Sequence, residues 1–120
     1  MTRILIPALL VTLPLVASCF VFQCGPYNCP QAREGRVLYA PLLESIGQYR
    51  EKDAVYPETL GDLMPEFIDG VPTATDAAGP KFAGYRRVND RFEFAFEYFG
   101  PGINRCVYSP ETQWSCDGHF

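Results

Sequence analysis

Histidine is nearly missing from this sequence: the 120 residues hold one, His119, beside the last residue. That leaves no positioned imidazole for a serine–histidine–acid arrangement. A zinc site also loses its usual nitrogen donors, since structural sites need about four ligands. Basic residues are short as well, with ten Lys and Arg against fourteen Asp and Glu. A nucleic-acid binder carries a basic excess to neutralise phosphates, and this chain does not. No glycine-rich phosphate cradle follows a strand pattern. The carboxylates Glu93 and Glu97 share the solvated face of one strand, and a charged outer face explains them. The expectation is no catalysis, no cofactor and no metal.

What is present starts at the N-terminus. Arg3 supplies a positive charge, Ile4 to Ala17 is apolar apart from Thr12, and Ala17 and Ser18 precede Cys19. This is a short basic region followed by an apolar region of signal-peptide length. Val16-Ala17-Ser18-Cys19 resembles the lipobox of bacterial lipoproteins: an aliphatic residue, two small residues, then cysteine. The resemblance implies cleavage before Cys19 and a diacylglyceryl thioether on its sulfur. Two or three acyl chains hold a protein stably where one would be marginal. Phe20 rather than Asp follows the cysteine, which points to the outer membrane more than the inner. Two other readings stay open. An ordinary signal peptide could be cut nearby and release a soluble periplasmic protein. Alternatively, Ile4 to Phe22 could remain as a membrane helix, since its nineteen residues just span a bilayer and Pro7 and Pro14 are tolerated there.

There are five cysteines, Cys19, Cys24, Cys29, Cys106 and Cys116. An odd count in an exported protein leaves one thiol to explain. If Cys19 carries lipid, the other four can pair in an oxidising compartment. Three connectivities are open to four cysteines; Cys24–Cys29 with Cys106–Cys116 is the preferred one.

Along the body, Gly25-Pro26 and Cys29-Pro30 read as breaks, so residues 20–33 are expected to form a tether with a stapled loop. From Glu34 to about Lys52, Leu38, Leu42, Ile46 and Tyr49 fall on one face of a helix. Pro41 either opens that helix in its first turn or kinks it. Tyr56-Pro57 enforces an extended entry, Thr59 caps a short turn containing Leu60, Leu63 and Met64, and residues 73–80 form a loop. The last third reads as antiparallel sheet. Phe82 to Val88 is a strand, Asn89-Asp90 a turn, and Arg91 to Phe99 a strand in which Phe92, Phe94, Phe96 and Tyr98 alternate with Glu93, Ala95 and Glu97. Ile103 to Tyr108 and Gln113 to Cys116 form a second hairpin. With a three-residue loop, Cys106 faces Cys116; a two-residue loop would instead place it opposite Ser115.

The stretch from Tyr49-Arg50-Glu51 through Tyr56-Pro57-Glu58-Thr59-Leu60-Gly61-Asp62-Leu63 to Val71-Pro72 is similar to the globular domain of major pseudopilins of type II secretion. The ending Trp114-Ser115-Cys116-Asp117-Gly118 also resembles the close of that family. The resemblance covers roughly residues 38 to 118. It implies a pilin-like fold and a C-terminal calcium site, for which Asp117 could supply one ligand, though calcium wants six to eight oxygens. The family's Gly-Phe-[Ser/Thr]-Leu-x-Glu cleavage motif is missing, which sets filament assembly aside.

The expected fold class is α+β: an N-terminal helix packed on a small antiparallel β-sheet of about four strands, pilin-like and disulfide-stapled. The expected organisation is signal peptide 1–18, lipidated tether 19–33 and globular domain 34–120. The expected role is a lipoprotein of the bacterial envelope, facing the periplasm. It would act without catalysis as a structural or protein-interaction module. Its partners would be the membrane, through lipid on Cys19, and another envelope protein engaged by Tyr108, Trp114 and Phe120, aromatics being enriched at interface cores. A pseudopilin-like secretion component and a surface inhibitor or immunity lipoprotein are the alternatives.

Overall fold

Pro30 starts a helix where the sequence suggests a break. The computed structural model describes residues 24–100 and 102–119. The residues read as a signal peptide and lipobox, including Cys19, and Phe120 lie outside them. Helix α1 runs Pro30–Leu38 with proline at its first position. Proline fits there because the first N–H groups of a helix have no intrahelical acceptor and its φ is already set. The helical layer is therefore not N-terminal in the chain. It begins inside the segment expected to be tether, downstream of the apolar stretch and the stapled loop.

Helix α2 spans Ala40–Asp53 and is offset from α1 at Tyr39, whose φ and ψ of −93° and 1° are not helical. Pro41 enforces the break, because a continuous helix would need its missing N–H and would clash with its ring. The Tyr39 carbonyl accepts the N–H groups of Leu42 and Leu43, both at 3.1 Å, and so starts α2. Of the four residues expected on one face, Leu42 and Ile46 are fully buried, while Leu38 and Tyr49 pack on the core from its margin. The helix stops at Ala54, a left-handed residue with φ 68° whose N–H bonds the Arg50 carbonyl at 2.8 Å.

A 3-10 turn, Leu60–Leu63, follows the Tyr56-Pro57 entry, and Thr59 and Asp62 close it as a capping box. The Asp62 carboxylate accepts the N–H groups of Glu58 and Thr59 at 3.2 and 3.1 Å. These contacts satisfy backbone donors that the helix start leaves open. Leu63 is thereby held in the core.

Four strands complete the domain: β1 Lys81–Val88, β2 Arg91–Phe99, β3 Ile103–Ser109 and β4 Gln113–His119. They form one antiparallel sheet in sequential order. The period-two pattern of β2 puts Phe92, Phe94, Phe96 and Tyr98 on the helix side, all buried. A bulge between Phe82 and Gly84 inserts one residue into β1. Both Phe82 and Tyr85 thereby reach the core side, where their rings meet Phe94 and Phe92. The core is aromatic. Tyr39 lies against Phe94 at 4.9 Å and Phe96 at 5.5 Å between ring centroids. Burying each such side chain contributes about 1.5–3 kcal/mol. The architecture is thus α+β, a helical layer on a four-stranded antiparallel sheet.

Candidate interaction surface

The β3–β4 hairpin has Ser109 opposite Gln113, Tyr108 opposite Trp114, Val107 opposite Ser115 and Cys106 opposite Cys116. The last pair is a disulfide with Cα atoms 4.0 Å apart, and Cys24–Cys29 is the second, at 5.0 Å. The loop of the hairpin is stabilised by its own side chains: the Ser109 and Thr112 hydroxyls share a hydrogen bond of 2.7 Å.

The sheet's second face points away from the helices. Gly84, Ala95 and Val107 occupy neighbouring positions across its centre. Arg86 bonds Glu93 at 2.8 Å and Arg105 bonds Glu97 at 2.9 Å on the same face. These pairs are half exposed, so they favour strand register more than overall stability. Glu93 and Glu97 are both engaged by arginines.

The Cys24–Cys29 loop is fastened to one end of the sheet. Asn28 and Cys29 donate their N–H groups to the Gly25 carbonyl at 3.0 and 3.1 Å. The Tyr98 hydroxyl donates to the Pro26 carbonyl. Burial raises the Tyr98 pKa while the nearby Arg36 charge opposes the rise, so the phenol stays protonated and remains a donor. Arg36 donates to the Tyr27 carbonyl at 2.8 Å and lies 3.8 Å over the centroid of the Tyr27 ring. The Gln31 side chain reaches from α1 to the Phe99 carbonyl. At this same end Phe99 and Ile103 are paired across β2 and β3 and are 65% and 46% exposed. They border an open recess of about 540 Å³ whose wall includes Ala77, Ala78, Lys81 and Tyr98.

The aromatics singled out in the sequence fall elsewhere. Trp114 packs against Phe96 at 5.3 Å, Phe94 at 6.3 Å and Tyr108 at 5.3 Å, and both Trp114 and Tyr108 are half-buried at the margin of the core. Phe120 lies outside the described residues. Asp117, the calcium ligand implied by the resemblance, sits opposite Arg105 in the ladder. Among the described residues no group of three or more His, Cys, Asp or Glu is arranged to hold a metal. No described helix is long and apolar enough to cross a membrane. The exposed pair Phe99 and Ile103 did leave a signal in the sequence. By period two Phe99 belongs with Glu93 and Glu97 on the outer face, an apolar residue at a polar position.

No protein-family model, curated protein or solved structure matches the chain significantly.

Proposed function

We propose that the protein is a lipid-anchored component of the bacterial envelope that works without catalysis, as a structural or protein-interaction module. The observation that carries this reading is the cysteine arrangement. Cys24, Cys29, Cys106 and Cys116 are used in two disulfides. The remaining cysteine is Cys19, at the end of the apolar N-terminal stretch. Disulfides persist in oxidising compartments, which supports export, and the sequence around Cys19 supports lipidation. The outer sheet face, with an open recess of about 190 Å³ lined by Gly84, Ala95 and Val107 and bordered by the Arg86–Glu93 and Arg105–Glu97 ion pairs, is the surface offered to a protein partner.

A pilin-like, secretion-associated role held by an uncleaved helix is the second reading. It is supported by the order of helix α2, Tyr56-Pro57 entry and antiparallel sheet, which matches the order in pseudopilins.

Intact mass of the membrane-extracted protein, without reduction, tests the proposal. The expected mass is that of the chain from Cys19 with acyl chains, less four hydrogens for two disulfides. An unmodified chain retaining Met1 to Ser18 would overturn the lipid anchor and favour the second reading.

A further inference from the structure

We propose that the end of the domain bearing Phe99, Ile103 and Tyr27 rests on the lipid bilayer surface, with the tether holding it there. The proposal rests on the membrane-anchored reading above and adds which surface of the domain the membrane meets.

Cys24 is disulfide-bonded to Cys29 at the start of α1, and the intervening loop is bound to Tyr98 through the Pro26 carbonyl. The chain therefore arrives at the Tyr98–Phe99 end of β2. Five residue steps separate Cys19 from Cys24. An extended chain covers at most ~3.6 Å per residue, so Cys24 stays within roughly 18 Å of the Cys19 backbone. Under the alternative of an uncleaved helix ending at Phe22, the distance is shorter still.

The chemistry of this end suits a bilayer surface. Phe99 and Ile103 are exposed apolar side chains beside an open, largely apolar recess. Tyr27 is 45% exposed. A tyrosine presents an apolar body and a polar tip, the pairing found at the headgroup level. Arg36, stacked on Tyr27, and Lys81, at the recess, add cations on long aliphatic stems. Such side chains lay their stems on apolar surface and carry their charge to anionic headgroups. The opposite end is the Val88–Arg91 turn. Eight strand steps of ~3.3 Å put it roughly 26 Å from Phe99, so its exposed Val88 provides an internal control.

The test uses the full chain, extracted from membranes and reconstituted in vesicles of phosphatidylethanolamine and phosphatidylglycerol. One version carries photoreactive p-benzoylphenylalanine in place of Phe99, the other in place of Val88. Both positions are exposed, and near-ultraviolet circular dichroism checks that the aromatic core is intact. Irradiation followed by intact-mass analysis should yield a lipid adduct at position 99 and none at position 88. Vesicle-bound protein with no lipid adduct at 99, or with equal adducts at both positions, overturns the proposal and leaves the anchor standing. A crosslink from 99 to a second copy also overturns it and assigns the patch to self-association. Protein that fails to stay with the vesicles overturns both this proposal and the anchored reading.

Discussion

Gly35 on α1 and Phe96 on β2 touch because Gly35 has no side chain. A Cβ added at Gly35 would lie 2.8 Å from Cδ1 of the Phe96 ring and closer still to its other edge atoms. Phe96 cannot give way, being fully buried and packed against Tyr39 and Trp114. The contact brings the helix backbone onto the aromatic face of the central strand.

Gly35→Ala should therefore destabilise the domain. Alanine gains roughly 1 kcal/mol of helix propensity over glycine, while overpacking a filled core costs about 1–3 kcal/mol. The expected net loss is up to about 2 kcal/mol, read as a lower midpoint in urea unfolding. An unchanged or higher midpoint would mean that α1 can shift away from the sheet.

Ala54→Gly should act in the opposite direction. Ala54 holds φ 68° at the end of α2, a conformation that costs an ordinary L-residue roughly 1–2 kcal/mol. Glycine adopts it without that cost but loses more chain entropy on folding. The expected gain is up to about 1 kcal/mol in thermal or urea unfolding, and a loss would contradict the assignment of this cap.

Replacing Cys106 and Cys116 together by alanine should lower stability by about 2–3 kcal/mol, the chain-entropy value for a loop of this length. The closed loop spans a sequence separation of 10. The hairpin register should survive, because Tyr108 and Trp114 still pack together across it. Backbone amide contacts across β3 and β4 in solution NMR are the check. A shifted register would show that the bridge sets the pairing.

Alkaline pH should weaken the fold partly through Tyr85. Burial pushes its pKa up to about 12 from 10.0, and its hydroxyl donates to the Pro57 carbonyl at 2.6 Å. The folded state thus holds the phenolic proton more tightly than the unfolded chain. Its contribution is complete below pH ~10 and is lost as pH rises through about 12. Tyr85→Phe should cost about 1 kcal/mol at neutral pH for the lost hydrogen bond and should make the alkaline decline shallower. Burial raises the pKa of Tyr39 and Tyr98 too, so a residual decline remains. An identical alkaline slope in the variant would remove Tyr85 from the explanation.

The sheet was legible in the sequence for a simple reason. Phe92, Phe94, Phe96 and Tyr98 alternate with small or charged residues, and period two admits one arrangement. Counting back from a three-residue loop gave the observed Cys106–Cys116 register, while the two-residue loop that would have placed Cys106 opposite Ser115 was equally open to the sequence. The first turn of helix α1, before Glu34, was hidden because Pro30 stops a helix that arrives from upstream but suits one that begins there, and local sequence does not say which. Tyr108 and Trp114 read as surface aromatics because strand parity gives a face without saying what covers it. The helical layer and the neighbouring rings cover much of both. The patch at Phe99 and Ile103 depends on two strand ends and a stapled loop converging from distant parts of the chain. Only the parity of Phe99 hinted at it.

The Cys24–Cys29 bridge also decides how the domain would bear a mechanical load. A pull arriving along the chain from its N-terminal side reaches Cys24 and crosses the sulfur–sulfur bond directly to Cys29, which is buried at the start of α1. Residues 25–28 lie on a slack parallel branch. Tension from that side therefore bypasses the loop, and the Pro26 and Tyr27 contacts with Tyr98 and Arg36 are shielded from it.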